Sequence, residues 1–176
     1  CTAREVGFAC INMDLIAGLP QDSVEGFRDS LEEVLALRPE NITVHTLAMK
    51  KGSRLMEEGG ALPSSEETGR MVNLSLEALE GAGYRPYYLY RQKYMSGGLE
   101  NVSWCLPGTE NHYNIIMMEE LQSVLSLGAG GVTKLVDRSS GRIVRLTNPK
   151  YPHDYLAMSA KVLEQKDEIL RFYREV

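Results

Sequence analysis

Ile11-Asn12-Met13-Asp14-Leu15-Ile16-Ala17-Gly18-Leu19-Pro20 is the stretch on which the reading of the fold turns. It reads as a buried parallel strand, Ala9 to Ala17, that carries one carboxylate and breaks at Gly18 and Pro20. A charge among apolar strand residues is costly unless something pairs with it. At the end of a barrel strand such a residue usually faces a ligand. Asp14 therefore has two readings. It pairs with a basic side chain or caps a neighbouring loop, as structural carboxylates do; or its ionised oxygens accept from a ribose hydroxyl or an amine.

Working outward, Asp22 followed by Glu25 has the pattern of a capping box. The helix it would open places Val24, Phe27, Leu31 and Val34 on one face, and Pro39 marks its end. A second strand, Ile42 to Ala48, follows. The two apolar runs are spaced as a right-handed βαβ crossover requires. Two parallel strands cannot close a barrel, so an open edge is expected on one of them.

After Gly52 the pattern changes. Ser64 and Glu67 form a second capping box. Met71, Leu74, Ala78 and Ala82 line a helical stripe that stops at Gly81 and Gly83. Tyr84 to Arg91 predicts a strand with Tyr88 and Tyr90 on one face and Leu89 on the other. Residues 95 to 113, rich in Gly, Asn and Ser, read as a long loop containing Trp104. A helix from Tyr113 to Leu127 would turn Ile115, Met118, Leu121 and Leu125 inward and run into Gly128-Ala129-Gly130-Gly131. Ser139-Ser140-Gly141 predicts a hairpin turn between Lys134–Val136 and Arg142–Leu146. A last helix, Tyr155 to Tyr173, would pack Leu156, Ala160, Leu163 and Leu170. The fold class is α/β. Residues 1–62 read as the βαβ part of an α/β barrel and residues 63–176 as an α+β C-terminal cap.

The 176 residues, 43% of them hydrophobic, suffice for one domain with or without a small appendage. A net charge of −5 makes no case for nucleic acid. No apolar run approaches the roughly 18 residues of a membrane span, and no signal peptide is recognisable; neither nucleic acid nor membrane is an expected partner. Cys1, Cys10 and Cys105 fit no zinc or iron–sulfur spacing, so no metal ligand is assigned. Their odd, scattered placement suits a reducing, cytoplasmic setting. Thr2 to Gly7 resembles the tail of a helix stopped by glycine, so the chain reads as a fragment whose N-terminal portion is missing.

Further candidates carry ordinary readings beside functional ones. The glycines at 128–131 let backbone approach a ligand closely, or simply end a helix. The Tyr84–Tyr94 stretch, with Arg85, Arg91 and Lys93, is an aromatic and cationic wall for a flat carboxylate-bearing ligand, or a half-exposed strand. Arg91, Tyr88 and Tyr90 are its candidate binding residues. His45, His112 and His153 are isolated in sequence; His45 sits beside Asp14's strand and could face the same pocket, but a satisfied core histidine is the reading the sequence favours.

Met13-Asp14-Leu15-Ile16-Ala17-Gly18-Leu19-Pro20-Gln21 resembles the D-L-I-x-G-L-P-x-Q signature of oxygen-independent coproporphyrinogen III oxidases, radical S-adenosylmethionine enzymes of the HemN type. Val44 to Ala48 sits where that family has its last barrel strand. Leu127-Gly128-Ala129-Gly130 resembles its L-G-x-G element, and Arg142 to Asn148 with Tyr155-Leu156 its closing R-x-x-N…Y-x pattern. Asn41–Lys50 and Tyr87–Lys93 look most like the Z-type branch, the coproporphyrinogen dehydrogenases. The resemblance implies a partial (β/α)6 barrel of which this chain holds the last two strands. It implies S-adenosylmethionine and a [4Fe-4S] cluster on a C-x3-C-x2-C loop, with propionates of a porphyrinogen substrate decarboxylated to vinyl groups. By position, Asp14 would bind the ribose or methionine part of the cofactor and Ala48 the adenine through its backbone. The segment from Val132 to Lys134 would close over it, although Lys134 departs from the small or apolar residue expected there. The C-x3-C-x2-C motif is absent, so the chain by itself should neither hold the cluster nor turn over; the missing N-terminal half of the same protein is its implied partner. Relatives of the family bind and deliver haem, and other radical reactions such as methyl transfer use the same scaffold.

Overall fold

The computed structural model describes residues 2–48, 61–90 and 99–174. The chain packs as two compact units, residues 1–112 and 113–176.

The first unit contains α1 (Thr2–Val6), β1 (Asn12–Ala17), α2 (Val24–Leu37) and β2 (Asn41–Thr46). It continues with α3 (Ser65–Gly81), β3 (Arg85–Tyr90) and β4 (Asn101–Cys105). β1 pairs with β2 in parallel, with α2 as the crossover. The four-stranded sheet has the order β1-β2-β4-β3, and its remaining pairings are antiparallel. β1 therefore lies at one edge and β3 at the other.

Alternation along the strands divides the sheet into two faces. Ala17, Ile42, Val44 and Trp104 are buried with Phe27, Leu31 and Val34 of α2 and Met71, Val72 and Leu79 of α3. Met13 and Leu15 pack partly against the same core. Both helices thus cover one face, and the other is left to polar residues.

Several sequence expectations shift by a residue or two. β1 begins at Asn12 rather than Ala9. The N-cap of α2 is Ser23, not Asp22: its side chain accepts from Gly26 N at 3.0 Å, while Asp22 Oδ1 accepts from Ser23 N. The helix ends at Leu37 because Arg38 turns left-handed at φ 46° ahead of Pro39. The Ser64–Glu67 capping box is present. The most buried face of α3 is Thr68, Met71, Val72, Ser75 and Leu79, with Leu74 and Ala78 flanking it, because this helix packs on α2 as well as on the sheet.

The largest departure is β4. The expected loop at 95–113 contains a strand between β2 and β3, with Trp104 in the core at 5% exposure. Its polar residues Asn101 and Ser103 are also buried, so polarity here does not signal solvent. The described residues between 63 and 112, grouped by sequence with the cap, pack with the βαβ segment in the first unit.

In the second unit, α4 (His112–Met118) begins at the boundary, followed by the antiparallel pair β5 (Val132–Asp137) and β6 (Arg142–Thr147). α5 (Pro152–Ala157) and α6 (Ser159–Arg174) complete it. The 139–141 hairpin turn forms as expected. The helix expected to reach Leu127 stops at Met118; Glu120 is left-handed at φ 52°, and Leu121 and Leu125 are exposed. Val124 instead bridges to Lys134. The last helix breaks at Met158, and Leu156, Leu163 and Leu170 stay exposed. A two-stranded hairpin offers little apolar surface, and among the described residues its core is Leu135, Leu146 and Phe172, with Val144 and Ile169 against them. Among the described residues, no helix is long and apolar enough to cross a membrane.

Candidate functional site

The helix-free face of the four-stranded sheet gathers the polar side chains. In register, Asp14 lies opposite Thr43, Thr43 opposite Ser103, and Ser103 opposite Tyr88. In the next row Ile16 lies opposite His45, and Asn101 opposite Tyr90. At the end of these rows is a concavity of about 380 Å³ whose walls include Asp14, His45, Thr46, Ala48, Tyr90 and Asn101.

Asp14 is not the buried charge expected from its apolar neighbours. In this chain its side chain is 57% exposed on the edge strand, so no desolvation cost arises from these 176 residues. Oδ1 accepts from Asn12 Nδ2 at 2.6 Å, and Oδ2 lies 3.6 Å from His45 Nε2. His45 is neither isolated nor a core residue. Its Nδ1 is 3.1 Å from the Tyr90 hydroxyl, and the two rings meet edge-on.

One buried polar atom of a residue lining this concavity, Asn101 Nδ2, has no hydrogen-bond partner among the described residues; Thr46 Oγ1 is also unpartnered, but Thr46 alternates with Ile42 and Val44 toward the helix-covered face. Asn101 Oδ1 accepts from Thr46 N at 2.8 Å, which fixes the amide and leaves its NH2 as an unused donor. Such orphans are uncommon in folded proteins and call for an explanation. Neither residue was singled out from sequence. The available signal was the alternation Asn101-Val102-Ser103-Trp104, obscured by its Gly- and Asn-rich surroundings.

Of the other candidates, Tyr88 and Tyr90 share this face, with rings stacked 6.2 Å apart at 10°. Arg91 lies outside the described residues. Ala48 lines the concavity. Lys134 belongs to the second unit, where its Nζ donates to Met117 O at 2.7 Å and lies 3.3 Å from Glu120 Oε1. Glu120 also receives Arg145, at 2.7 Å. The 128–131 turn is braced by Asn148, whose amide donates to Gly128 O at 2.8 Å. Among the described residues, no group of three or more His, Cys, Asp or Glu is placed to hold a metal ion. Cys105 is buried, and that burial, with Glu110 beside it, pushes its thiol up to about 11.

No model of a protein family matches the chain. It is 40% identical over 176 residues to the oxygen-independent coproporphyrinogen-III oxidase-like protein HemZ of Bacillus subtilis, covering 99% of this chain and 34% of that protein. It is 23% identical to the haem chaperone HemW of Escherichia coli over 95% of this chain and 40% of the relative. To the oxygen-independent coproporphyrinogen III oxidase of Helicobacter pylori it is 38% identical over 87 residues, 47% of this chain and 19% of that one. Among solved structures, the coproporphyrinogen III oxidase HemN from Escherichia coli, described as a radical SAM enzyme, matches with a TM-score of 0.53 at 20% identity. That match covers 74% of this chain and 31% of the enzyme, and is a likeness of fold. The chain thus spans between 19% and 40% of the length of the curated relatives named here.

Proposed function

Because this chain belongs to the HemN-like family and fits a C-terminal fragment of one of its members, we propose that it forms part of an enzyme that oxidatively decarboxylates coproporphyrinogen III propionates to vinyl groups in the cytoplasm. Its helix-free sheet face would hold S-adenosylmethionine. The observation that carries this reading is the meeting of an exposed carboxylate, Asp14, with the unpartnered buried amide donor of Asn101, Nδ2, in one concavity.

The residues present suit such a cofactor. The Asp14 oxygens accept from ribose hydroxyls or an ammonium group, and the Asn101 amide donates to ligand nitrogen or oxygen. Ala48 offers backbone groups to the adenine. Bound S-adenosylmethionine supplies the means to remove hydrogen from an unactivated carbon. Tyr88 and Tyr90 present ring faces to a flat substrate, and Arg91 is assigned to a propionate. For Lys134, the engagement of its ammonium by Met117 and Glu120 favours a structural role within the second unit. Cys10 and Cys105 do not form a ligand set for a [4Fe-4S] cluster. We assign the ligands for that cluster to the N-terminal part of the full-length protein.

A second reading, haem binding and delivery without decarboxylation, is favoured by the likeness to HemW along 95% of the chain. Anaerobic assay of the full-length protein with coproporphyrinogen III, alongside absorbance titration with haem, separates the two. Vinyl product supports the enzyme; a stable haem complex with no decarboxylation replaces it with the carrier.

A further inference from the structure

The helix-free face carries a connected chain of side chains that a simple cofactor contact does not require. Ser103 and Thr43 share a hydroxyl hydrogen bond of 2.7 Å. Thr43 Oγ1 donates to Asn12 Oδ1 at 3.3 Å, and Asn12 Nδ2 donates to Asp14 Oδ1 at 2.6 Å. From Asp14 the chain continues to His45 at 3.6 Å and from His45 to Tyr90 at 3.1 Å. It touches all four strands, and it links β1 at one edge of the sheet to β3 at the other.

We propose that this chain positions the Asp14 carboxylate for its ligand, with His45 and Tyr90 as positioning residues. The inference rests on the reading of Asp14 as the cofactor contact. A carboxylate on an exposed edge strand is free to rotate, and a ligand that needs one orientation must overcome that freedom. Here each oxygen has a neighbour: the Asn12 amide holds Oδ1 and the imidazole faces Oδ2. The inner end is anchored, because Thr43 and Ser103 are 2% and 0% exposed. At the outer end the Tyr90 hydroxyl holds Nδ1 of the imidazole at 3.1 Å and so orients its Nε2 edge toward Asp14. The Tyr90 ring is itself held by stacking on Tyr88. The conformation of a residue on β1 is therefore set from β3, through His45.

The test is calorimetric binding of S-adenosylhomocysteine to the full-length protein and its variants. His45→Ala should weaken binding about tenfold, the loss of one oriented polar contact. His45→Gln, whose amide can reach both neighbours, should restore most of it. Tyr90→Phe should weaken binding by a few-fold, and the His45→Ala/Tyr90→Phe double variant should be no weaker than His45→Ala alone, since the two act through one contact. Unchanged affinity in His45→Ala while Asp14→Asn weakens binding would overturn the positioning role and leave the Asp14 reading intact. Unchanged affinity in Asp14→Asn would overturn both. Equal losses in His45→Gln and His45→Ala, with additive effects in the double variant, would reduce the pair to ordinary structural residues.

Discussion

Gly18 turns directly over the side chain of Thr68. Its φ is +86°, and a Cβ built there would lie 3.1 Å from both Cγ2 and Oγ1 of that threonine. Thr68 is fully buried and its hydroxyl donates to Ser64 O at 3.0 Å, so it has little room to give way. The glycine of the Asp14–Pro20 stretch is thus needed twice, for its backbone conformation and for the approach of α3. Gly18→Ala should destabilise the protein by about 1–3 kcal/mol, measured by urea unfolding.

Tyr84 ties the start of β3 to the end of α2. Its hydroxyl, in a 2% exposed residue, donates to Pro39 O at 2.6 Å. Burial pushes the phenol up, so it stays a donor through neutral pH. Tyr84→Phe leaves that carbonyl without its partner and should cost about 1–3 kcal/mol. A midpoint unchanged in chemical denaturation would show that water replaces the hydroxyl.

Asp137 gives the second unit an acid-sensitive turn. Hydrogen bonds from the Ser140 hydroxyl and then the Ser139 hydroxyl and N–H hold its carboxyl down to about 2. In an unfolded chain an aspartate titrates near ~3.9. The folded value is the lower one, so its stabilisation is fully present above that pH and is lost as pH falls through about 2. Thermal midpoints of the wild type and Asp137→Asn should differ at neutral pH and converge at the acid end. Parallel curves would show that the turn does not couple to folding.

Cys105 should resist alkylation in the native protein. It is 1% exposed and its thiol is pushed up to about 11, whereas the thiolate is the reactive form. Cys10 is exposed. Iodoacetamide treatment read by peptide mass spectrometry should label Cys10 well before Cys105; equal labelling would mean that β4 opens readily.

Replacing Asp14 by Ala in the full-length protein should weaken S-adenosylhomocysteine binding by about 1–3 kcal/mol if the carboxylate makes a charged hydrogen bond to it. Unfolding midpoints of the two proteins should stay close, and a large fall in midpoint would point to a structural role instead.

What sequence alone determined is the local part of this protein. The βαβ crossover, the Ser64–Glu67 capping box, the placement of Tyr88 and Tyr90 on one face, and the 139–141 turn follow from periodicity and from side chains that bond to neighbouring backbone. The D-L-I-x-G-L-P stretch also marked the family. What only the tertiary structure decided is which polar residues meet. Asn101 and Ser103 looked like loop residues because burial of a polar strand is invisible until its partner strand is known; here the partner is β2, which carries Thr43 and Thr46. Asp14 looked buried because its apolar neighbours suggested a strand covered on both sides, yet only the face of Met13, Leu15 and Ala17 meets helices. The leucines at 121, 125, 163 and 170 fit helical stripes and remain exposed, since an amphipathic pattern buries its apolar side only where an opposing surface exists. His45 joined Asp14 and Tyr90 for the same reason: pairing across strands brings together residues that sequence spacing holds 31 and 45 positions apart.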